Sequence, residues 1–389
     1  MSHQDKSSLV KDFFQKYYSK ADLLLPDDLE YREFAYQPFG SESYVRHLSF
    51  KTRDEVIMYF TSKPPLHLYY SAATYLYPYV EDMEAKGWRG SDLLFDIDAD
   101  HVPECISNNL IRKIRICPEC ESLSEEPEKE CPNCSGETID IIEPECIEYT
   151  KKYTQDLIDV LIEEFGISKK YIRVMFSGNR GFHVRVVDER FRSLGREERR
   201  IIADYILAKK SSLKKDFVGN KTLPLPPRIF DGGLRRRIAR KIIDKTDSEV
   251  LRKYLISDNI EARDLLMKYS KEIYEEYIGL PEVSPEIPID AMVTIDISRL
   301  VRIPNSINGK SGLLAVEIDP VKLSDFRFDP EKLSPFRDHR VLIEVFYKIP
   351  RIRIFGVEFR AYRETVYQVL GYVGVYLELK GLGRIKKVI

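Results

Sequence analysis

Asp96 and Asp98 are the first residues that invite chemistry, within Asp92-Leu93-Leu94-Phe95-Asp96-Ile97-Asp98-Ala99-Asp100-His101. On a strand they share a face, and at about 3.3 Å per residue their Cα atoms lie roughly 6.6 Å apart. Two carboxylates so placed repel, and one takes up a proton unless a cation intervenes. A pair of divalent ions removes that conflict and supplies the clamp of an in-line phosphoryl displacement. A bare Asp-x-Asp is more often a strand running into a solvated loop, so its chemical reading depends on partners elsewhere in the chain. Asp296 is the third acidic candidate: it lies in the β-branched alternation Met292 to Pro304, where a lone carboxylate is costly without a cation or donor.

A seat for the corresponding anion is predicted at Ser177-Gly178-Asn179-Arg180-Gly181, which interrupts two strand-like runs, Tyr171 to Phe176 and Phe182 to Val187. Its glycines permit turn conformations and close backbone approach. Ser177, Arg180 and His183 then converge on one anion, Arg180 as a fork and His183 as a second donor. Asn308-Gly309-Lys310-Ser311-Gly312 is a tight turn carrying one lysine, without Walker spacing. Cys117-Pro118-Glu119-Cys120 and Cys131-Pro132-Asn133-Cys134 have the spacing of a tetrahedral thiolate site, which predicts a structural Zn2+ with no open position for catalysis. Cys105 and Cys146 flank this module and read as buried bystanders, because cysteines of a cytoplasmic chain are metal ligands or thiols before they are disulfides.

The elements that must position these groups follow from periodicity. Leu9 to Tyr18 and Glu148 to Phe165 have helical spacing, whereas Tyr31 to Tyr36 and Tyr44 to Phe50 alternate as strands. Sequence texture divides the chain into a core, 1–188 and 286–325, with the cysteine module 105–146 inserted. A charged helical subdomain, 189–285, and an appended element, 326–389, complete it; Tyr362 to Leu379 reads as an apolar helix. A net charge of −2 excludes a uniformly basic coat, so a polyanion must meet a local patch. The densest positive run is Arg235 to Lys241, supplemented by Lys209, Lys210, Lys214 and Lys215, and reads as a phosphate contact or a solvated helix face. No run is apolar enough to span a bilayer, and Met1 to Lys11 lacks a signal-peptide core, which predicts a cytoplasmic, nucleoid-associated protein with no membrane partner.

Taken in order, these motifs resemble the catalytic small subunit of the archaeal and eukaryotic DNA primase family. The likeness runs through Tyr17-Tyr18, Tyr31-Arg32-Glu33-Phe34, Arg46-His47-Leu48-Ser49-Phe50, Phe95-Asp96-Ile97-Asp98, the cysteine module, Ser177 to His183, and Asp296 with Arg299-Leu300-Val301-Arg302. The resemblance implies an α/β, mixed-sheet catalytic core with a zinc knuckle and an inserted α-helical subdomain. It implies that Asp96, Asp98 and Asp296 hold two Mg2+ or Mn2+ ions, and that Ser177, Arg180 and His183 contact the triphosphate. Glu33 and Arg46 match further nucleotide-site positions, and Arg302 and Lys310 match basic ones. Asn308 stands where the family usually has histidine and can donate to a phosphate but carries no charge. The implied activity is synthesis of short RNA or DNA primers on single-stranded DNA, with a large iron-sulfur subunit as partner. Two other readings compete: a repair or gap-filling polymerase that extends without initiating, and a non-catalytic nucleic-acid-binding zinc protein.

Overall fold

The alternation of Leu93, Phe95 and Ile97 with more polar positions produces a strand whose inner face enters the core and whose end carries the acidic pair. The protein is described by a computed structural model at residues 9–117, 122–124, 137–209, 227–257, 273, 276–277, 280 and 283–389. Its strands run in order as β1 (Phe34–Pro38), β2 (Val45–Leu48), β3 (Pro65–Ser71), β4 (Ala73–Tyr75), β5 (Trp88–Ser91), β6 (Leu93–Asp98), β7 (Ile111–Cys117), β8 (Ser122–Ser124) and β9 (Glu137–Ile142). They continue as β10 (Ile172–Phe176), β11 (Gly181–Val186), β12 (Leu300–Arg302), β13 (Val316–Ile318), β14 (Arg340–Val345), β15 (Ile349–Ile354), β16 (Val357–Ala361), β17 (Thr365–Leu370) and β18 (Gly383–Val388).

Two four-stranded sheets frame the central cleft, one ordered β12-β3-β1-β2 and the other β13-β10-β11-β6. The expected α/β content is present. The sheets themselves are not mixed: every ladder between the described strands is antiparallel. The second sheet is backed by the long helix Pro144–Glu163, whose Leu157, Ile158 and Leu161 pack with Leu93, Phe95, Val174 and Phe182. The first sheet shares a core with the helix Leu9–Tyr18 and with the C-terminal sheet β17-β14-β18, through Phe14, Phe34, Tyr70, Val341 and Val375. Residues beyond 326 are thus built into the main core.

Asp92 ties the base of β6 to its surroundings. Its buried carboxylate meets Arg32 at 3.2 Å and Arg192 at 2.9 Å, and its backbone carbonyl accepts from Arg199 at 3.1 Å. Arg199, in the helix Arg196–Ile206, also donates to the Ser91 carbonyl at 2.6 Å, so all three arginines are internal fasteners.

Several expectations are corrected here. Tyr362 to Leu379 is not one helix: β17 occupies its first part, and the helix starts at Gly371, where a Cβ would lie 2.4 Å from the Phe336 carbonyl. Met292 to Pro304 is strand only at β12; Asp290 caps a short helix, Ala291–Ile295, by accepting from Met292 N–H at 2.8 Å. Cys105 and Cys146 are joined in a buried disulfide, because the helix Pro103–Ser107 and the first turn of Pro144–Glu163 bring their Cα atoms to 5.2 Å. The bridge closes the base of the small sheet β8-β7-β9. Cys117 ends β7 and is buried; Cys120, Cys131 and Cys134 lie outside the described residues, as do Lys210, Lys214 and Lys215.

The basic run also has a different role. In the helix Gly233–Lys245 its cations face the acidic side of Pro144–Glu163: Arg236 meets Glu163 at 3.0 Å, Arg237 meets Glu164 at 2.7 Å, and Arg240 meets Glu163 at 2.8 Å. The run is consumed in helix-helix pairing, with Arg237 buried.

Candidate active site

Register decides which side chains meet. In the β6–β11 ladder Asp96 lies opposite His183 and Asp98 opposite Gly181, so the acidic pair and the anion seat share one sheet face. A Cβ at Gly181 would lie 2.4 Å from the Ile97 carbonyl and 3.0 Å from the Asp98 Cα, which is why the strand closes against Asp98 only with glycine. His183 Nε2 is 3.5 Å from Asp96 Oδ1, while His183 Nδ1 is buried with no hydrogen-bond partner among the described residues.

Two tight turns from distant parts of the chain interlock beside this ladder. Asn308 donates from Nδ2 to the Ser177 carbonyl at 2.8 Å and accepts from Lys310 N–H at 3.0 Å; Ser311 donates from Oγ to the Gly178 carbonyl. Gly178 has φ +77° and would place a Cβ 3.0 Å from that of Asn308. Asn308 is therefore a buried strut between the turns, and its amide is already engaged. Arg302 is also held: it bonds His67 at 3.0 Å and the Tyr69 hydroxyl at 2.8 Å, and its guanidinium lies over the Tyr69 ring.

The two sheets and the two turns enclose an open cleft of about 270 Å³. Asp96, Asp98, Ser177, Arg180, His183, Arg302, Asn308 and Lys310 line it. Arg180 spans three carboxylates: Asp98 at 3.0 Å, Asp100 at 2.7 Å, and Asp140 of β9 at 2.7 Å. Glu33 and Arg46 are not in the lining. Glu33 is fully buried and bonds Lys86 at 2.7 Å and Arg46 at 2.9 Å, so it anchors Arg46 from behind.

Asp296 does not join the acidic pair. Its Oδ1 accepts from Ser298 N–H at 2.9 Å and Ser298 Oγ at 2.7 Å, and its charge acts on Tyr75 and Arg199. Of the carboxylates that act on Asp96, Asp290 acts more strongly than Asp100, and its N–H donates to the Asp96 carbonyl at 2.9 Å. Reading Met292 to Pro304 as one strand obscured this, because the helix Ala291–Ile295 resets the direction of every following side chain. The available signal was Asp290 itself, a carboxylate next to buried Ile289. Periodicity also missed Arg299, an exposed lining cation whose charge opposes the upward shift of Asp96. His67, in β3, serves as a neutral acceptor for Arg302 at 3.0 Å and for Gly309 N–H at 3.2 Å.

Burial, then the Asp290 charge, pushes the Asp96 carboxyl up to about 7. Asp98 is also raised, by burial, although Arg180 opposes the shift. Burial and the Arg302 charge lower His183 to about 4, so it is a neutral donor near pH 7. Among the described residues no three His, Cys, Asp or Glu side chains converge closely enough to ligate one ion as they stand. The arrangement explains this: Arg180 pulls on Asp98, Asp290 is engaged as a cap, and uncompensated carboxylates repel. The oxygen-only donor set and the raised carboxyls fit a hard divalent cation.

The family described as DNA primase small subunit matches residues 95–320. A protein of Saccharolobus islandicus named DNA primase small subunit PriS is 36% identical, covering 99% of this chain and 97% of its own. The proteins of the same name from Sulfurisphaera tokodaii and Saccharolobus solfataricus are 38% and 35% identical, each across 99% of this chain and 98% and 97% of theirs. Agreement on this scale, from end to end of the chain and over the cleft that holds Asp96, Asp98 and the Ser177–His183 seat, means that the chain belongs to the DNA primase small subunit family.

Proposed function

We propose that this chain is a template-dependent nucleotidyltransferase that joins nucleoside triphosphates into short RNA, or DNA, primers on single-stranded DNA. The observation that carries the reading is the cross-strand placement of Asp96 and Asp98 against His183 and Gly181, with Arg180 and Lys310 in the same cleft. Asp96 and Asp98 would hold Mg2+ or Mn2+, with Asp290 in the place expected of Asp296. When bound, the ions neutralise phosphoryl oxygens and lower the pKa of the attacking hydroxyl.

The chain's own groups bind and orient the triphosphate. Arg180 is the fork, Lys310 adds a point charge, and Ser177 and neutral His183 donate hydrogen bonds. Arg302 is locked by His67 and Tyr69, so its contribution is electrostatic and its geometry preset. Cys117, Cys120, Cys131 and Cys134 would hold a structural Zn2+. A large iron-sulfur subunit is the proposed partner and the cytoplasm the proposed compartment; among the described residues no helix is long and apolar enough to cross a membrane.

The test is synthesis on unprimed single-stranded DNA with Mg2+ or Mn2+, compared with a primed template. Product on the unprimed strand supports initiation, whereas extension of primed template alone supports the gap-filling alternative. Loss of product in Asp98→Ala with folding intact supports the metal assignment, and persistence of product refutes it.

A further inference from the structure

The helix Gly371–Leu379 ends against the turn that carries Lys310. Gly312, with φ +78°, lies where a Cβ would sit 2.8 Å from Val375 Cγ1 and 3.5 Å from Leu379 Cδ1, so the last helical turn is packed directly on the turn 308–312. The next residue, Lys380, is thereby set next to the turn that carries Lys310, just outside the residues that line the cleft. Its ammonium lies 5.4 Å from the centre of the Tyr376 ring, and the Tyr376 hydroxyl lies 3.5 Å from the carbonyl of Asp140, the residue whose carboxylate holds Arg180.

Arg180 occupies Asp98, Asp100 and Asp140, and neither the Lys310 nor the Lys380 ammonium has a hydrogen-bond or ion-pair partner among the described residues. Arg180 already engages all three carboxylates directly, so the two ammonium groups have no acceptor of their own in contact and can donate to a ligand oxygen. Packing on Tyr376, the negative end of the helix dipole and the charge of Asp140 favour a lysine at this position, and none of them occupies its ammonium with a hydrogen bond among the described residues.

We propose that Lys380, contributed by the C-terminal element, is a further phosphate-binding residue of the nucleotide site, contacting the triphosphate together with Lys310. The side chain is half-buried, and burial, with the charges of Lys310 and Arg180 adding and Asp140 opposing, pushes its ammonium down to about 8. An incoming polyphosphate relieves that repulsion. The inference rests on the nucleotide occupying the cleft beside Arg180 and Lys310.

The experiment measures primer synthesis from ATP on an oligothymidylate template for the full chain and for Lys380→Met, Lys380→Arg, Lys310→Met and Lys386→Met. Lys386 is a control of equal charge, paired with Glu344 at 2.6 Å on the C-terminal sheet. Losing one charge-assisted contact should raise KM for ATP in Lys380→Met by about tenfold with kcat within about twofold, and Lys380→Arg should restore most of the affinity. Inhibition by inorganic tripolyphosphate should weaken in parallel, with template affinity and thermal stability unchanged. An unchanged KM in Lys380→Met beside a raised KM in Lys310→Met overturns the role of Lys380 and keeps the site. Unchanged KM in both variants overturns the nucleotide placement itself. A loss of template affinity without a change in KM for ATP also overturns the proposal, because the phosphates contacted would then be those of the template strand.

Discussion

The backbone N–H of Asp290 donates to the carbonyl of Asp96 at 2.9 Å, which fixes a third carboxylate beside the acidic pair from a segment almost two hundred residues away. Asp296, at the other end of the intervening short helix, is turned to Ser298. Asp290→Asn should lower kcat by at least about 10²-fold, the scale of losing one preorganised charge, whereas Asp296→Asn should change it by about tenfold or less. Single-turnover kinetics at saturating Mn2+ decides between them; the opposite ranking would return the third ligand position to Asp296.

The raised Asp96 carboxyl has a consequence for stability. Its unfolded value is about 4 and its folded value about 7, so between those values the folded chain binds more protons than the unfolded one. This contribution to stability is present at low pH and is lost as pH rises through about 7. Without divalent ions, the wild type should lose more melting temperature between about pH 5 and about pH 8 than Asp96→Asn does. Adding Mn2+ near pH 8 should raise the wild-type melting temperature and leave that of the variant almost unmoved. Parallel melting curves for the two proteins would show that Asp96 carries no such burden.

Arg237 is buried and bonds Glu164 at 2.7 Å. Arg237→Ala leaves the half-buried Glu164 carboxylate with the Tyr205 hydroxyl, 2.6 Å away, and should cost about 1–3 kcal/mol in chemical denaturation. Single-stranded DNA affinity and its salt slope, measured on the still-folded variant, should not change. A shallower salt slope would assign phosphate contacts to this helix after all.

Asn308→Ala removes the donor to the Ser177 carbonyl inside the interlocked turns. The unmet acceptor should cost about 1–3 kcal/mol, and KM for nucleotide should rise because the Ser177–Arg180 turn loses its strut. Should Asn308→Ala melt with the wild type, the strut is dispensable.

The Cys105–Cys146 bridge closes a loop with a sequence separation of 41 at the base of the cysteine module. Cys105→Ser should lower global stability by about 4 kcal/mol on the chain-entropy estimate. Calorimetry with and without reductant measures it, and free-thiol titration of the unreduced, denatured chain should find both sulfurs blocked.

Local pattern was enough to reveal the acidic strand end at Asp96 and Asp98, the hairpin bearing Ser177, Arg180 and His183, and the helices at Leu9–Tyr18 and Pro144–Glu163. Each is written in residues close together in sequence, where alternation or helical spacing reports directly on burial. Tertiary structure alone decided the rest. One capped turn at Asp290 rotated Asp296 out of the cleft, and antiparallel packing of two helices turned Arg235 to Lys241 from an apparent DNA patch into internal ion pairs. Docking of the C-terminal helix on Gly312 set Lys380 next to the turn that carries Lys310. These outcomes depend on which surfaces meet across hundreds of residues, and a charge or a carboxylate has the same local sequence signature whether its partner is solvent, a metal or another side chain.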